Sequence, residues 1–233
     1  MLSATHHDAY RYERKFVFED KQSAYVEAVV HHHPSNFHEI FHLRHVNNIY
    51  FDTPSLGYFR DNFEGNTNRQ KVRIRWYGVT FGRIKNPILE FKIKKGELGL
   101  KRSFPLVDFE LAPHFNAPQI QSIFLQSELP NRILEEVIGL QPKLINSYSR
   151  KYYRSFNHKY RFTIDQKLKY YSFSHNDNLF LHQIADFKNV ILELKYGLNY
   201  AKDADLISAR LPVRMRKYSK YMAGMENLYS LVT

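Results

Sequence analysis

An α+β fold, an eight-stranded antiparallel β-barrel with helices packed outside, is the architecture this sequence predicts. Three observations predict it. First, short runs alternate charged and apolar residues, as in Lys71-Val72-Arg73-Ile74-Arg75-Trp76 and Ile88-Leu89-Glu90-Phe91-Lys92-Ile93-Lys94. Side chains of a strand point to opposite faces with a period of two, so each run has one charged face and one apolar face. Second, the pattern recurs in five or more runs, with bases well ahead of acids on the charged face. Third, the remaining segments carry apolar stripes at helical spacing. Those stripes can cover the outward Val72, Ile74, Trp76, Phe91 and Ile93, which would otherwise form an exposed apolar patch.

The elements follow in order. Residues 10–18 read as a first strand, with Arg11, Glu13 and Lys15 on one face and Tyr12, Phe16 and Phe18 on the other. Asp20 is placed to cap a helix over about 21–30. A histidine-rich stretch precedes a second strand at 46–51, which ends before Pro54. A short helix carries Tyr58 and Phe59. Strands three to five fall near 70–78, 87–94 and 100–106, with Gly96 and Gly99 framing a hairpin turn. Residues 118–140 are helical and divided by Pro130. Strands six and seven lie at about 147–155 and 159–165, joined at Asn157-His158. An irregular segment with Asn176, Asp177 and Asn178 leads to strand eight at 189–196. Helices near 202–209 and 219–230 close the chain. One domain over 1–233, with its core at about 10–228, accommodates all of this.

The chain has 233 residues, 43% of them hydrophobic, with 17 Tyr and 18 Phe, enough for a substantial core of half-buried strands. Its formal net charge of +11 points to an anionic partner. Cysteine is absent, which excludes disulfides and thiolate metal sites. No apolar run approaches the roughly 18 residues of a membrane span, and Met1 to Asp8 contain no signal-peptide core. A soluble cytoplasmic protein is expected.

The charged face gathers Glu13, Lys15, Lys71, Arg73, Arg75, Glu90, Lys92, Lys94 and Lys101, then Arg150, Arg161, Asp165, Glu193 and Lys195 from later strands. A flat sheet with one wet face explains any single strand of this kind. It explains six less well, because solvated faces normally mix Thr, Ser, Gln and both charge signs. Closed around a common axis, the bases would repel one another when empty, and a bound polyphosphate would relieve that repulsion. Arginine supplies forked donors for phosphate oxygens and lysine supplies point charges. Glu193, with Glu13 or Glu90, supplies hard oxygen ligands for Mg²⁺ or Mn²⁺.

The motifs Tyr12-Glu13-Arg14-Lys15-Phe16, Tyr50-Phe51-Asp52-Thr53-Pro54, Arg73-Ile74-Arg75-Trp76-Tyr77-Gly78, Leu89-Glu90-Phe91-Lys92, Leu192-Glu193-Leu194-Lys195 and Lys217-Tyr218-Ser219-Lys220-Tyr221 stand in this order. Together they resemble the VTC domain, the polyphosphate polymerase domain of vacuolar transporter chaperone proteins, within the triphosphate tunnel metalloenzyme (CYTH-like) superfamily. The resemblance spans about residues 10 to 228. It implies an eight-stranded tunnel that moves the terminal phosphoryl group of ATP onto polyphosphate with Mn²⁺ or Mg²⁺. It implies phosphate-binding roles for Arg73, Arg75, Lys92, Lys101 and Arg150, further tunnel bases at Lys15, Lys217 and Lys220, and a metal ligand at Glu193. Lys94, Arg161 and Lys195 join the phosphate-binding set from the strand pattern. Arg73, Arg75, Lys92, Arg150 and Lys220 are the expected catalytic group. The final helix, entered at Ser219-Lys220, would lie at a tunnel mouth.

Two departures from the family matter. Tunnel hydrolases carry Glu-x-Glu-x-Lys on the first strand, whereas this chain has Arg11-Tyr12-Glu13-Arg14-Lys15. One acid is replaced by Arg, which tilts the expectation from water activation toward transfer. Eukaryotic polymerase members also carry a regulatory domain and membrane helices that this sequence lacks, so a separate membrane partner is left open. Two competing readings remain: a tripolyphosphatase or nucleoside triphosphatase in the same tunnel, and a non-catalytic polyphosphate-binding module. Nucleic acid is not the expected partner. His38, His42 and His45 have helical i, i+4, i+7 spacing, but a solvated polar face is the preferred reading of the cluster from His31 to His45 over a zinc site.

Overall fold

In the computed structural model, residues 10–229 are described. The expected end of the last helix at residue 230 lies outside them. The elements run β1 (Arg11–Phe18), α1 (Ser23–His31), β2 (His38–Asp52), α2 (Gly57–Glu64), β3 (Asn68–Tyr77), β4 (Gly82–Ile84), β5 (Ile88–Lys95), β6 (Leu98–Pro105) and β7 (Phe109–Leu111). They continue with α3 (Ala117–Gln126), α4 (Asn131–Ile138), β8 (Gln141–Arg154), β9 (Tyr160–Ser172), β10 (Gln183–Asp186), β11 (Val190–Gly197), α5 (Ala201–Ala209) and α6 (Lys220–Tyr229).

Eight strands close a ring in the order β9-β11-β1-β6-β5-β3-β2-β8, with β8 returning to β9. The described pairings are antiparallel. The short β10 extends the edge of β9, and β4 pairs with β7 outside the ring. These three short strands, 3 or 4 residues each, were not foreseen because the alternation needs more residues to register.

The ring is weakest between β1 and β6, which pair only at Arg11 and Gly99. Residues before α6 fill the free edge of β1. Met215 bridges to Phe16, and the Arg216 N–H donates to the Lys15 carbonyl at 2.9 Å. An edge strand with unpaired backbone groups is unfavourable, and this segment satisfies part of that edge.

The outward face is apolar and covered, as the inverted pattern requires. Val72, Ile74, Trp76, Leu89 and Phe91 pack beneath α3 and α4 through Ile120, Ile123, Phe124, Ile133 and Val137. Asn116 caps α3 with a capping box, and Pro130 separates the two helices. On the other side Phe16, Phe162, Leu192 and Leu194 pack against Val26 and Val30 of α1 and Ile207 of α5.

A third cluster joins α6 to one end of the ring through Tyr221, Met225, Tyr50, Leu144, Tyr148 and Tyr170. Gly224 permits the close approach: a Cβ there would sit 2.7 Å from Tyr170 and 2.8 Å from Leu144. Asp52 ties this end together. Its carboxylate accepts the N–H groups of Thr53, Tyr58 and Phe59, holding the start of α2, and the Tyr221 hydroxyl at 2.5 Å.

Two local expectations are corrected. Asp20 does not cap α1, because it sits in a left-handed turn (φ 49°) and Gln22 takes the N-cap position. The stretch from His38 to His45 is strand, since β2 pairs with β8 almost throughout its 15 residues. Its helical spacing therefore brings no face together. His33 is buried, with Nε2 donating to the Ile207 carbonyl and Nδ1 accepting from the Ser35 N–H. Burial holds its pKa down, consistent with a neutral packing residue. Among the described residues no helix is long and apolar enough to cross a membrane.

Candidate functional site: a cationic cavity inside the ring

The inner face encloses a cavity of about 130 Å³. Alternation on each strand decides what enters. Arg11, Glu13 and Lys15 come from β1, Lys71, Arg73 and Arg75 from β3, Lys92 and Lys94 from β5, and Lys101 from β6. Tyr148 and Arg150 come from β8, Glu193 and Lys195 from β11, and Ser219 and Lys220 from the start of α6. Eleven bases line the cavity against the three carboxylates of Glu13, Glu97 and Glu193.

Part of this wall is rigidly compensated. Glu90 is 3% exposed, and its carboxylate accepts Arg73 Nη2 at 2.6 Å and Lys101 Nζ at 3.0 Å, with Arg75 Nη1 at 3.5 Å. Asp165 is fully buried and accepts both arms of Arg150, at 2.5 and 2.6 Å, together with Lys220 Nζ at 2.5 Å. Glu193 lies 2.9 Å from Lys195 Nζ, 3.2 Å from Arg150 Nη2 and 3.4 Å from Lys15 Nζ. Burial opposes the charge of Glu90 and of Glu193, yet the surrounding cations hold both carboxyls well below the usual range. Burial likewise opposes the Lys220 charge, but Asp165 and Glu193 raise its pKa. Neutral groups fix the rest. Arg75 Nε donates to Asn48 Oδ1 at 2.9 Å and its Nη2 to the Tyr148 hydroxyl at 3.2 Å, and Arg73 Nη1 donates to the Tyr50 hydroxyl at 3.2 Å.

The opposite portion is under-compensated. Register places Lys71 opposite Lys92 and Arg69 opposite Lys94. Among the described residues, no carboxylate lies within 4.0 Å of Lys71 or Lys94. Burial, then the neighbouring Lys15, Lys92 and Arg69, push the Lys71 pKa well below the ordinary lysine value. Burial lowers Lys92 to about 8 even though it is paired with Glu13. Lys94 and Lys195 are also lowered, chiefly by burial.

Glu13 and Glu193 are the candidate metal ligands that face this space. Both approach Lys195, at 4.0 and 2.9 Å, and both are held ionised, so they interact through the cavity. Among the described residues no three acids or histidines converge on one point. Two carboxylates nonetheless fit a magnesium-type ion, which keeps waters and phosphate oxygens in its remaining positions. Glu90 stands apart from that set, because it lies behind the cavity wall and not in its lining, surrounded by Arg73, Arg75 and Lys101.

Most expected phosphate ligands therefore converge: Lys15, Arg73, Arg75, Lys92, Lys94, Lys101, Arg150, Lys195 and Lys220 line one cavity. Arg161 and Lys217 do not. Arg161 shares the inner face opposite Lys195 but lies exposed near the start of β9. Lys217 belongs to the segment that fills the free edge of β1, is exposed, and extends toward Gly65. Sequence reasoning passed over Tyr50 and Tyr148, whose hydroxyls orient arginines. Their place on charged strand faces was the available signal.

A family model described as the VTC domain matches residues 10–229. Among solved structures, the PH1819 protein from Pyrococcus horikoshii OT3 is 13% identical, with a TM-score of 0.50 over 94% of this chain and 99% of that chain. A candidate adenylate cyclase from Vibrio parahaemolyticus is 11% identical, with a TM-score of 0.50 over 90% of this chain and 95% of that chain. At such identities the likeness speaks for the fold alone. No curated protein matches the sequence.

Proposed function

We propose, because the chain belongs to the VTC domain family, that it is a metal-dependent phosphotransferase of the polyphosphate polymerase type. It would transfer the terminal phosphoryl group of ATP to inorganic polyphosphate. The convergence of eleven bases on one narrow cavity carries this reading. Arg73, Arg75, Arg150 and Lys220, each pinned by a buried carboxylate, would orient the triphosphate in line with the acceptor. A terminal oxygen of the polyphosphate attacks the γ-phosphorus, a new P–O–P bridge forms, the bond to the β-bridging oxygen breaks, and ADP leaves with that electron pair. The acceptor is already ionised, so no general base is required. Catalysis is then positioning and electrostatic stabilisation by preorganised cations. Bound through Glu13 and Glu193, Mg²⁺ or Mn²⁺ would neutralise charge on the phosphate oxygens.

Retention of Glu13 beside Glu193 favours a second reading, hydrolysis of tripolyphosphate or nucleoside triphosphate in the same cavity. Arg11 in the cavity wall, where tunnel hydrolases carry an acid, favours transfer. Incubation with ATP, Mn²⁺ and a short polyphosphate primer decides between them on a sizing gel. Long chains support transfer. Orthophosphate release without chain growth supports hydrolysis. Tight binding without turnover leaves a binding module, and RNA competing as well as polyphosphate at equal phosphate concentration would count against polyphosphate as the ligand.

A further inference from the structure

The inner face changes character beyond Arg150. Register sets Arg44 of β2 opposite Arg150, Phe41 opposite Tyr152, and Val46 opposite Tyr77. These side chains form a ladder of alternating cations and rings. Lys220 Nζ lies 4.7 Å from the centre of the Tyr148 ring, inside the cavity wall. The Arg150 guanidinium lies 5.2 Å from Tyr148 and 5.9 Å from Tyr152. The Arg44 guanidinium lies 5.5 Å from Tyr152, 5.6 Å from Tyr77 and 4.3 Å from Phe41. Phe41 meets Tyr152 edge to face at 5.5 Å.

The outer end of the ladder is open. Phe41 is 47% exposed and Tyr77 46% exposed. Among the described residues the Arg44 guanidinium has no carboxylate within 4.0 Å and no hydrogen-bond partner. Deeper in the cavity wall Glu90 fixes Arg73 and Asp165 fixes Arg150. Here a guanidinium packs against rings alone, beside aromatic surface of Phe41 and Tyr77 that remains exposed to a ligand. Flat π-systems stack on such surfaces, and a cation among the rings strengthens the contact.

We infer that Phe41, Arg44 and Tyr77 form a nucleobase platform at the entrance of the cavity. The base of a nucleoside triphosphate stacks there while its phosphates extend past Tyr152 toward Arg150 and Arg75. This rests on the phosphotransfer reading and adds to it where the base of the donor sits and the end from which it enters. Stacking accepts any base, because each presents a π-face, so the platform selects nucleotides over bare polyphosphate with little preference among bases.

Calorimetric binding of ATP, GTP and inorganic tripolyphosphate to the full chain tests it, with Tyr77→Ala and Phe41→Ala compared to the unaltered protein. ATP and GTP affinity are expected to fall about tenfold in each variant and to recover in Tyr77→Phe, with tripolyphosphate affinity held within about twofold. Retained tripolyphosphate binding also certifies that the variants are folded. Parallel loss of all three ligands, or no loss of any, overturns the platform and leaves the phosphotransfer reading standing. If the unaltered protein binds tripolyphosphate but no nucleotide, the platform alone fails. If it binds neither, both readings fall.

Discussion

One part of the cavity wall compensates its cations and another leaves them bare. Around Glu90, Asp165 and Glu193, seven bases are held within 4.0 Å of buried carboxylates: Arg73, Arg75, Lys101, Arg150, Lys220, Lys15 and Lys195. Among the described residues no carboxylate lies within 4.0 Å of Lys71 or Lys94, and burial already favours loss of their protons. A buried ion pair stabilises little overall, because desolvation offsets the attraction, but it fixes direction. An unpaired buried cation fixes nothing and awaits an anion. The contrast separates positioning from holding. The paired wall suits the reacting phosphates, where small displacements matter. The bare wall suits the bulk of a polyanion, where total charge matters.

The largest test of this division is stability. Asp165→Ala leaves Arg150 and Lys220 buried and under-compensated, and should cost about 3–5 kcal/mol in denaturant unfolding. Lys71→Ala should cost nothing or stabilise, because it removes repulsion. Equal destabilisation by the two substitutions would erase the distinction. Next comes turnover. Glu193→Gln should lower metal-dependent turnover by about 100-fold or more while polyphosphate binding persists, whereas Arg75→Ala should weaken both. Normal turnover in Glu193→Gln would sink the metal assignment.

On the bare wall, Lys71→Ala should reduce polyphosphate affinity by about tenfold at low salt, the worth of one charge-assisted hydrogen bond. Its effect on the rate at saturating ligand should be small. The pH dependence is subtler. Lys92, lowered to about 8, and Lys71 lose charge in the free protein as pH rises. A polyanion favours their protonated forms, so affinity should fall from pH 7 to 9 and binding near pH 8.5 should take up protons. Calorimetry in buffers of different ionisation enthalpy reads that uptake directly, and its absence would place these lysines outside the binding surface. Smallest of all, Arg161→Ala and Lys217→Ala, both exposed, should leave turnover within about twofold, in line with weak exposed charges.

Much of the fold was legible because the charged and apolar faces of Lys71–Trp76 and Leu89–Lys94 could belong only to strands with an unusual interior. Nine of the eleven expected phosphate ligands reach one cavity for the same reason. Failures arose where a residue's neighbours, not its spacing, decide. His38 to His45 have helical spacing but pair with β8. Arg161 has the right parity and faces Lys195 in register, yet its side chain is exposed and outside the cavity lining. Lys217 opens a motif yet points outward, exposed, after the Met215–Arg216 pairing to β1.

Alternation by itself determined which side chains share a face, since period two is a property of the extended backbone wherever it lies. Only the tertiary structure decided which of those faces meet, at what height and with which counter-charges. Glu90 is set among three cations, and Asp165 joins a strand arginine to a helix lysine that lies 55 residues after Asp165 in sequence. The reason is physical. Register and stagger across the ring set distances between segments remote in sequence, and electrostatic interaction depends on those distances.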